Sequence, residues 1–219
     1  MEQSEYLATV ASVHQEARRR GLFFQDTSDD RLDGRQVTLG GREVTSFASC
    51  SYLGLERHPA LIAAVHDAVD RYGTQFSSSR GYLSAPLQAP LEELLEQVFG
   101  GSVLVAPSTT IAHVVALPVL VTEHDAIVLD HQAHHSLQTA ATLARAAGAV
   151  VEVVRHGELD RAEEAVARLA RTRRTVWFAC DGVYSMYGDL APLGLLDRLL
   201  AVAPNVRLYV DDAHGMSWA

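Results

Sequence analysis

The segment AIVLDHQAHHSLQTAATLARAAGAVVEVV, residues 126–154, holds two apolar runs separated by a stretch with helical periodicity. The runs at 126–129 and 150–154 are continuous rather than alternating, as is typical of strands that are covered on both faces. A strand, a helix and a second strand in this order predict a right-handed crossover between two parallel strands.

The same pattern recurs along the rest of the chain. Further apolar runs predict strands at 102–106, 175–180 and 207–210. Helical segments are predicted between the strands, at 108–121, 134–147, 158–171 and 192–203. This alternation predicts an α/β fold with a mostly parallel sheet flanked by helices. Because the sequence stops soon after its last predicted strand, we expect the domain to be C-terminally truncated.

The first hundred residues carry local signals of a different kind. Residues 35–49 hold two alternating runs around Gly40 and Gly41, a pattern typical of a β-hairpin. Helices are predicted at 4–20, 59–72 and 86–99, with Pro59 and Pro86 at the starts of the last two. We therefore predict an N-terminal helix and hairpin arm over residues 1–58 and an incomplete large domain over residues 59–219.

The composition excludes several classes of partner. The chain has 219 residues, with 27 acidic against 18 basic side chains and a formal net charge of −9. Nucleic acids and anionic membranes need clustered basic residues, so we expect neither as a partner. All the basic residues are arginine, and the sequence contains no lysine. Cys50 and Cys180 lie in apolar surroundings, and we expect both to be buried free thiols of a cytoplasmic protein.

Polar loops follow the predicted strands, and ligands of open parallel sheets bind beyond the carboxyl ends of strands. Ser108, Thr109 and Thr110 open a helix, where hydroxyls and free backbone N–H groups suit a phosphate. Ser and Thr are also the most common N-caps, so a purely structural cap remains an alternative.

Three further polar loops follow predicted strands, and we expect them at the same carboxyl edge of the sheet. One holds His131, His134 and His135, which predict metal ligation, an imidazole stacked on an aromatic ligand, or a polar loop with a helix cap. Another runs from Asp181 through Ser185 to Gly188 and Asp189, as a binding loop or a simple turn. The last places Asp211 at a strand end with His214 three residues on. Loops on one edge of a sheet converge on a single crevice.

Taken together, these motifs resemble the α-oxoamine synthases. These are fold-type I pyridoxal-phosphate enzymes related to class I and II aminotransferases. The resemblance runs from about residue 45 to the end and rests on Ser51–Leu55, Ser77–Arg80, Ser108, His134 with Ser136, Asp181–Asp189 and Asp211–Gly215. It implies the large domain of a fold-type I transferase, with pyridoxal 5′-phosphate as the cofactor.

The resemblance also implies roles for individual residues. Asp211 would pair with the pyridinium nitrogen, His214 would contact the phenolic oxygen, and His134 would stack on the ring as a third catalytic residue.

The remaining cofactor-binding residues implied by the resemblance surround the phosphate and the ring. Ser108, with the amides of Thr109 and Thr110, would hold the phosphate, while Asp181 and Ser185 would lie beside the ring. The sequence departs from the family at Asp181, where Glu is usual, and at His113, where Asn is usual.

The implied reaction of the parent enzyme is the decarboxylative condensation of an amino acid with an acyl thioester, carried by CoA or by an acyl carrier. Such enzymes are usually homodimers. They also bind the cofactor through a lysine, and Arg cannot replace it because the guanidinium stays protonated. We therefore expect this chain to carry much of the cofactor cradle without its covalent anchor.

Other functions are also compatible with the sequence. Transamination would use the same cofactor cradle with different substrate pockets. A metal-dependent hydrolase could use His131, His134, Asp211 and His214. A third hypothesis is that the chain is a non-catalytic fragment. A Rossmann dehydrogenase is disfavoured, because no GxGxxG motif follows any predicted strand.

Overall fold

A computed structural model describes residues 3–32 and 35–216 of the protein. The chain divides into two compact units, Met1–Phe76 and Ser77–Ala219. The functional division that we predict at residue 58 stays a prediction. Residues 1–2, 33–34 and 217–219 of the predicted arm and large domain lie outside the described residues.

The first unit contains the helices predicted at 4–20 and 59–72 and the predicted hairpin. Its elements are α1 (Gln3–Arg19), β1 (Gln36–Leu39), β2 (Arg42–Thr45) and α2 (Pro59–Tyr72). The strands pair antiparallel, with Leu39 opposite Arg42, so Gly40 and Gly41 form a two-residue turn. Their φ angles are 56° and 77°, a conformation that glycine adopts without steric cost.

The second unit alternates helices and strands. It contains α3 (Gln88–Phe99), α4 (Thr109–Leu120), β3 (Ala126–Asp130), α5 (His135–Ala146), β4 (Val150–Val154), α6 (Leu159–Ala170), β5 (Val176–Asp181), α7 (Leu193–Val202) and β6 (Val206–Asp211). The four strands form one parallel sheet in the order β4-β3-β5-β6. The predicted α/β class and parallel sheet are confirmed.

Residues 102–106 are not a strand, and that prediction was wrong. The backbone N–H of Val103 donates to the Glu96 carboxylate at 3.2 Å, and that of Val105 donates to Glu92 at 2.9 Å. Side chains of α3 thus bind the amides that a strand would offer to a neighbouring strand. Helix α3 also begins at Gln88, two residues after Pro86.

The core of the second unit lies on both faces of the sheet. Val128 and Phe178 belong to a buried cluster with α6 and α7. Ile127 and Leu129 belong to a second buried cluster with α4 and α5. Each such side chain contributes roughly 1.5–3 kcal/mol by leaving water, which explains why these strands are continuous apolar runs.

The order of the strands fixes where a ligand site can form. The chain runs from β3 through α5 to β4, and then through α6 past β3 to β5. Helices α5 and α6 pack against opposite faces of the sheet. A parallel sheet whose crossovers reverse in this way opens a crevice beyond the carboxyl ends of the strands at the reversal, here β3 and β5.

The two cysteines differ in environment. Cys180 is buried as predicted, whereas Cys50 is exposed, so the prediction for Cys50 was wrong. Both thiols are free. Within residues 3–32 and 35–216, no helix has the length and apolar character needed to cross a membrane.

Candidate active site

Three buried carboxylates stand at the carboxyl ends of neighbouring strands. Asp130 ends β3, Asp181 ends β5 and Asp211 ends β6, with exposed fractions of 7%, 2% and 6%. Asp181 and Asp211 lie side by side in the strand register. Burying a charged carboxylate is costly unless it has hydrogen-bond partners. The contacts of each carboxylate therefore decide how readily it ionises.

Asp211 is held by a histidine on helix α4. The His113 Nε2 atom lies 2.8 Å from Oδ2 of Asp211, and its Nδ1 atom lies 2.9 Å from the Tyr209 hydroxyl. The backbone N–H of Ala213 donates to Oδ1 of Asp211 at 3.1 Å. Burial raises the pKa of Asp211, but the hydrogen bonds from His113 and Ala213 outweigh burial and hold the pKa below 3.8.

Asp181 has a weaker set of partners. The backbone N–H of His134 donates to its two carboxylate oxygens, at 3.0 and 3.2 Å. Burial, together with the negative charge of Asp211, outweighs this bond and raises the pKa of Asp181 to about 6. The neighbouring acids therefore have different properties, since Asp211 is firmly ionised at neutral pH and Asp181 is near its titration range.

His134 caps helix α5 at the crevice. Its Nδ1 atom accepts a hydrogen bond from the Ser136 backbone N–H at 3.3 Å and lies 2.7 Å from the Ser136 hydroxyl. The structure thus gives this histidine the predicted role of a helix cap. Its side chain remains exposed, so the ring is also accessible to a ligand.

The start of α4 lies at the same edge of the sheet as Asp211. The Ser108 hydroxyl caps the helix by accepting from the Ile111 N–H at 3.2 Å. The first amides of a helix, here those of Thr109 and Thr110, have no partner within the helix. His113 is five residues beyond Ser108, about 7.5 Å along the axis, and it contacts Asp211 directly.

A second polar cluster fixes the loop that follows β5. The Tyr184 hydroxyl donates to Asp130 at 2.9 Å, and His156 lies between Asp130 at 3.0 Å and Asp189 at 3.2 Å. Burial lowers the pKa of His156, but the two carboxylates outweigh burial and raise it. These contacts join Tyr184 and Asp189 of the loop 181–189 to the end of β3 and to the turn before α6.

The other predicted residues lie in turns at this edge. Ser185 is exposed in the turn between Asp181 and Asp189, and His214 is half-buried in the turn after β6. Asp212 packs so closely against Gly182 and Gly215 that a Cβ atom on either glycine would collide with its carboxylate. Glycine at these positions therefore allows the loops after β5 and β6 to approach each other.

The residues of the alternative metal site do not form one. Within residues 3–32 and 35–216, no group of three or more His, Cys, Asp or Glu side chains is placed to hold a metal ion. His131, His134, Asp211 and His214 thus lack the geometry that a metal-dependent hydrolase requires.

Sequence reasoning missed the roles of His113, Tyr209 and His156. The sequence does hold one signal for Tyr209: it lies two residues before Asp211 on a strand, so the two side chains share a face. The contact between His113 and Asp211 spans 98 residues, and local patterns carry no information on such pairs.

Comparison with known proteins shows the family to which the chain belongs. Residues 42–217 match the family model for aminotransferase class I and II, and the chain belongs to that family. Two similar proteins are a putative 8-amino-7-oxononanoate synthase of Phenylobacterium zucineum, 36% identical, and an 8-amino-7-oxononanoate synthase of a Methylobacterium species, 38% identical. Each alignment covers 188 residues, 85% of this chain and 48% of the relative.

Solved structures share the fold. A serine palmitoyltransferase of S. paucimobilis, solved with a PLP–myriocin aldimine, superimposes with a TM-score of 0.81 at 20% identity. A serine palmitoyltransferase of Sphingomonas wittichii gives 0.81 at 21% identity. Both cover 96% of this chain and 52% of the solved chain. The predicted resemblance and the fold-type I architecture are confirmed, and pyridoxal phosphate is the cofactor of this family. The chain spans about half the length of the curated relatives it matches.

Proposed function

We propose that this chain forms the non-covalent part of a pyridoxal-phosphate site in a transferase of the α-oxoamine synthase type. The observation that carries the proposal is the bond between His113 and Asp211. It brings a buried, ionised acid to the same edge as a helix that begins with Ser108, Thr109 and Thr110.

The donor set fits the two ends of the cofactor. A pyridinium N–H needs an ionised acceptor, and Asp211 supplies one whose pKa is lowered by its hydrogen bonds. A phosphate needs N–H and O–H donors, which the Ser108 hydroxyl and the amides of Thr109 and Thr110 supply. When bound, the cofactor supplies an electron sink for charge that develops at the α-carbon of an amino acid.

The other predicted residues take roles between these two ends. The exposed ring of His134 offers a face for stacking, and His214 would meet the phenolic oxygen from the turn after β6. Asp181 holds the His134 backbone in place and, with Ser185, borders the ring. Asp211, His214 and His134 are the residues to which we assign catalytic roles.

The chain has no lysine, so these 219 residues contain no side-chain amine that could anchor the cofactor. A whole protein with the length of the relatives would have to supply that amine from outside these residues. The reaction that we propose belongs to such a whole protein.

For the whole protein we propose the condensation of an amino acid with an acyl thioester of CoA or an acyl carrier. The amino acid loses its carboxylate as CO₂, its α-carbon bonds to the acyl carbon, and the thiol leaves. The names of the relatives that are 36% and 38% identical support condensation over transamination.

We further propose that the whole protein is a homodimer. The free thiols of Cys50 and Cys180 support a cytoplasmic location.

Binding of pyridoxamine 5′-phosphate tests the proposal, because this probe needs no lysine. Calorimetry should show binding to the chain that weakens about tenfold in Asp211→Ala and several-fold in Ser108→Ala. Asp197→Ala and Ser102→Ala, at exposed positions of the same unit, should bind like the wild type. No binding by the wild type, or binding that neither site variant weakens, would contradict the proposal.

A further inference from the structure

We infer that His113 is a positioning residue that ties the start of helix α4 to the carboxylate of Asp211. The inference rests on the proposed function of Asp211 as the acid that meets the pyridine nitrogen. It goes beyond that function because it assigns a task to a residue that need not touch the cofactor.

The contacts of His113 use both ring nitrogens. Its side chain is 5% exposed, and it bridges Tyr209 on β6 and Asp211 at the end of the same strand. Burial and the charge of Asp211 raise the pKa of Tyr209, so its hydroxyl keeps its proton. The Tyr209 O–H can therefore donate to Nδ1 while the Nε2–H of His113 donates to Asp211.

This arrangement fixes the orientation of Asp211. Oδ2 accepts from His113 and Oδ1 accepts from the Ala213 N–H, so each carboxylate oxygen has one fixed partner. Each oxygen of an ionised carboxylate has a second lone-pair site for a ligand. Among residues 3–32 and 35–216, no side chain donates a hydrogen bond to Asp181 as His113 does to Asp211, and Asp181 has the opposite pKa shift although it occupies the adjacent register position.

His113 also sets the distance between the two ends of the site. It lies on the same helix as Ser108, and a helix is a rigid spacer of about 1.5 Å per residue. A shift of α4 along its axis would break the bond to Asp211. The phosphate end and the acid end are thus held as one unit, which favours binding by reducing the ordering that a ligand must impose.

The pKa of Asp211 in the free chain is the first test, measured by the pH dependence of its ¹³C carboxyl shift. Among the described residues, the titratable groups that interact with Asp211 include Asp181 on β5, His113 on α4, Tyr209 on β6 and His134 before α5. His113→Phe removes both bonds and should raise the pKa of Asp211 by at least about 1. His113→Gln keeps an N–H donor and should restore most of the difference.

His124→Gln is the matched control, because His124 is 70% exposed in the same unit, and it should leave the Asp211 titration unchanged. An unchanged titration in His113→Phe would overturn the inference. This measurement needs no ligand, so it decides on His113 even if the proposed function fails.

Affinity for pyridoxamine 5′-phosphate is the second test. We expect about tenfold weaker binding in His113→Phe, with most of the loss recovered in His113→Gln. Wild-type affinity in His113→Phe would overturn the inference while leaving the proposed function in place. Failure of the wild-type chain to bind the probe would count against the proposed function instead.

Discussion

The backbone N–H of His134 bonds to both carboxylate oxygens of Asp181, joining the loops that follow β3 and β5. These strands are the ones at which the direction of the chain across the sheet reverses. The pairing of β5 with β6 places Asp181 next to Asp211, where the two negative charges repel each other.

Replacing Asp181 by Asn should stabilise the chain at neutral pH. Because the folded pKa of Asp181 is raised from 3.8 to about 6, its ionisation opposes folding, and the penalty grows as the pH rises from about 4 to about 6. We expect Asp181→Asn to add about 2 kcal/mol to the free energy of unfolding at pH 7.5, and less than half of that at pH 4. Urea unfolding at both pH values measures this, and a loss of stability at pH 7.5 would refute it.

The contacts of His156 with Asp130 and Asp189 should stabilise the fold at acidic pH, and this contribution should be lost as the pH rises. The folded pKa of His156 is raised above 6.5, so its contribution is full below about pH 6.5 and is lost as the pH rises through the folded value. We expect His156→Gln to cost about 1 kcal/mol at pH 6 and clearly less at pH 9. His124→Gln is the exposed control, and an equal cost of His156→Gln at both pH values would argue against a charged His156.

Asp125 should be a stabilising residue remote from the site. It is fully buried, and the Arg174 guanidinium bonds to its two oxygens at 3.0 and 2.7 Å. Burial raises its pKa, but Arg174 and Thr122 outweigh burial and lower it, so its contribution is lost as the pH falls through the folded value. We expect Asp125→Ala to cost about 2 kcal/mol at pH 7, measured by urea unfolding. Asp197→Ala, at an exposed position, should cost almost nothing.

Added pyridoxal phosphate should form no stable covalent bond to a side chain of this protein. Borohydride reduction followed by peptide mapping should find no pyridoxyl group on any side chain, because the sequence has no lysine. Arg198→Lys, which places an amine at an exposed position on α7, is the positive control and should be labelled. A labelled side chain in the wild type would show that another nucleophile can serve as the anchor.

The sequence predicted the sheet well because β3 and β5 are buried on both faces and are therefore continuous apolar runs. It failed at 102–106, where an equally apolar run has its amides bound by Glu92 and Glu96. Composition alone does not distinguish a strand from an extended segment, because a strand also needs a neighbour.

The loops of the site were predictable as polar segments at strand ends, but their internal contacts were not. Asp211 was identified by its place at the end of β6, whereas the pairing with His113 depends on how α4 packs. His156 was missed for the same reason, since it reaches Asp130 and Asp189 from a third loop.

The central claim is that Asp211 meets a pyridine nitrogen and keeps it protonated. The most direct measurement is the ¹⁵N chemical shift of pyridoxamine 5′-phosphate labelled at the ring nitrogen and bound to the chain at pH 8. We predict the shift of a protonated nitrogen in the wild type and of an unprotonated nitrogen in Asp211→Asn. An unprotonated nitrogen in the wild-type complex, or the same protonated shift in both proteins, would contradict the claim.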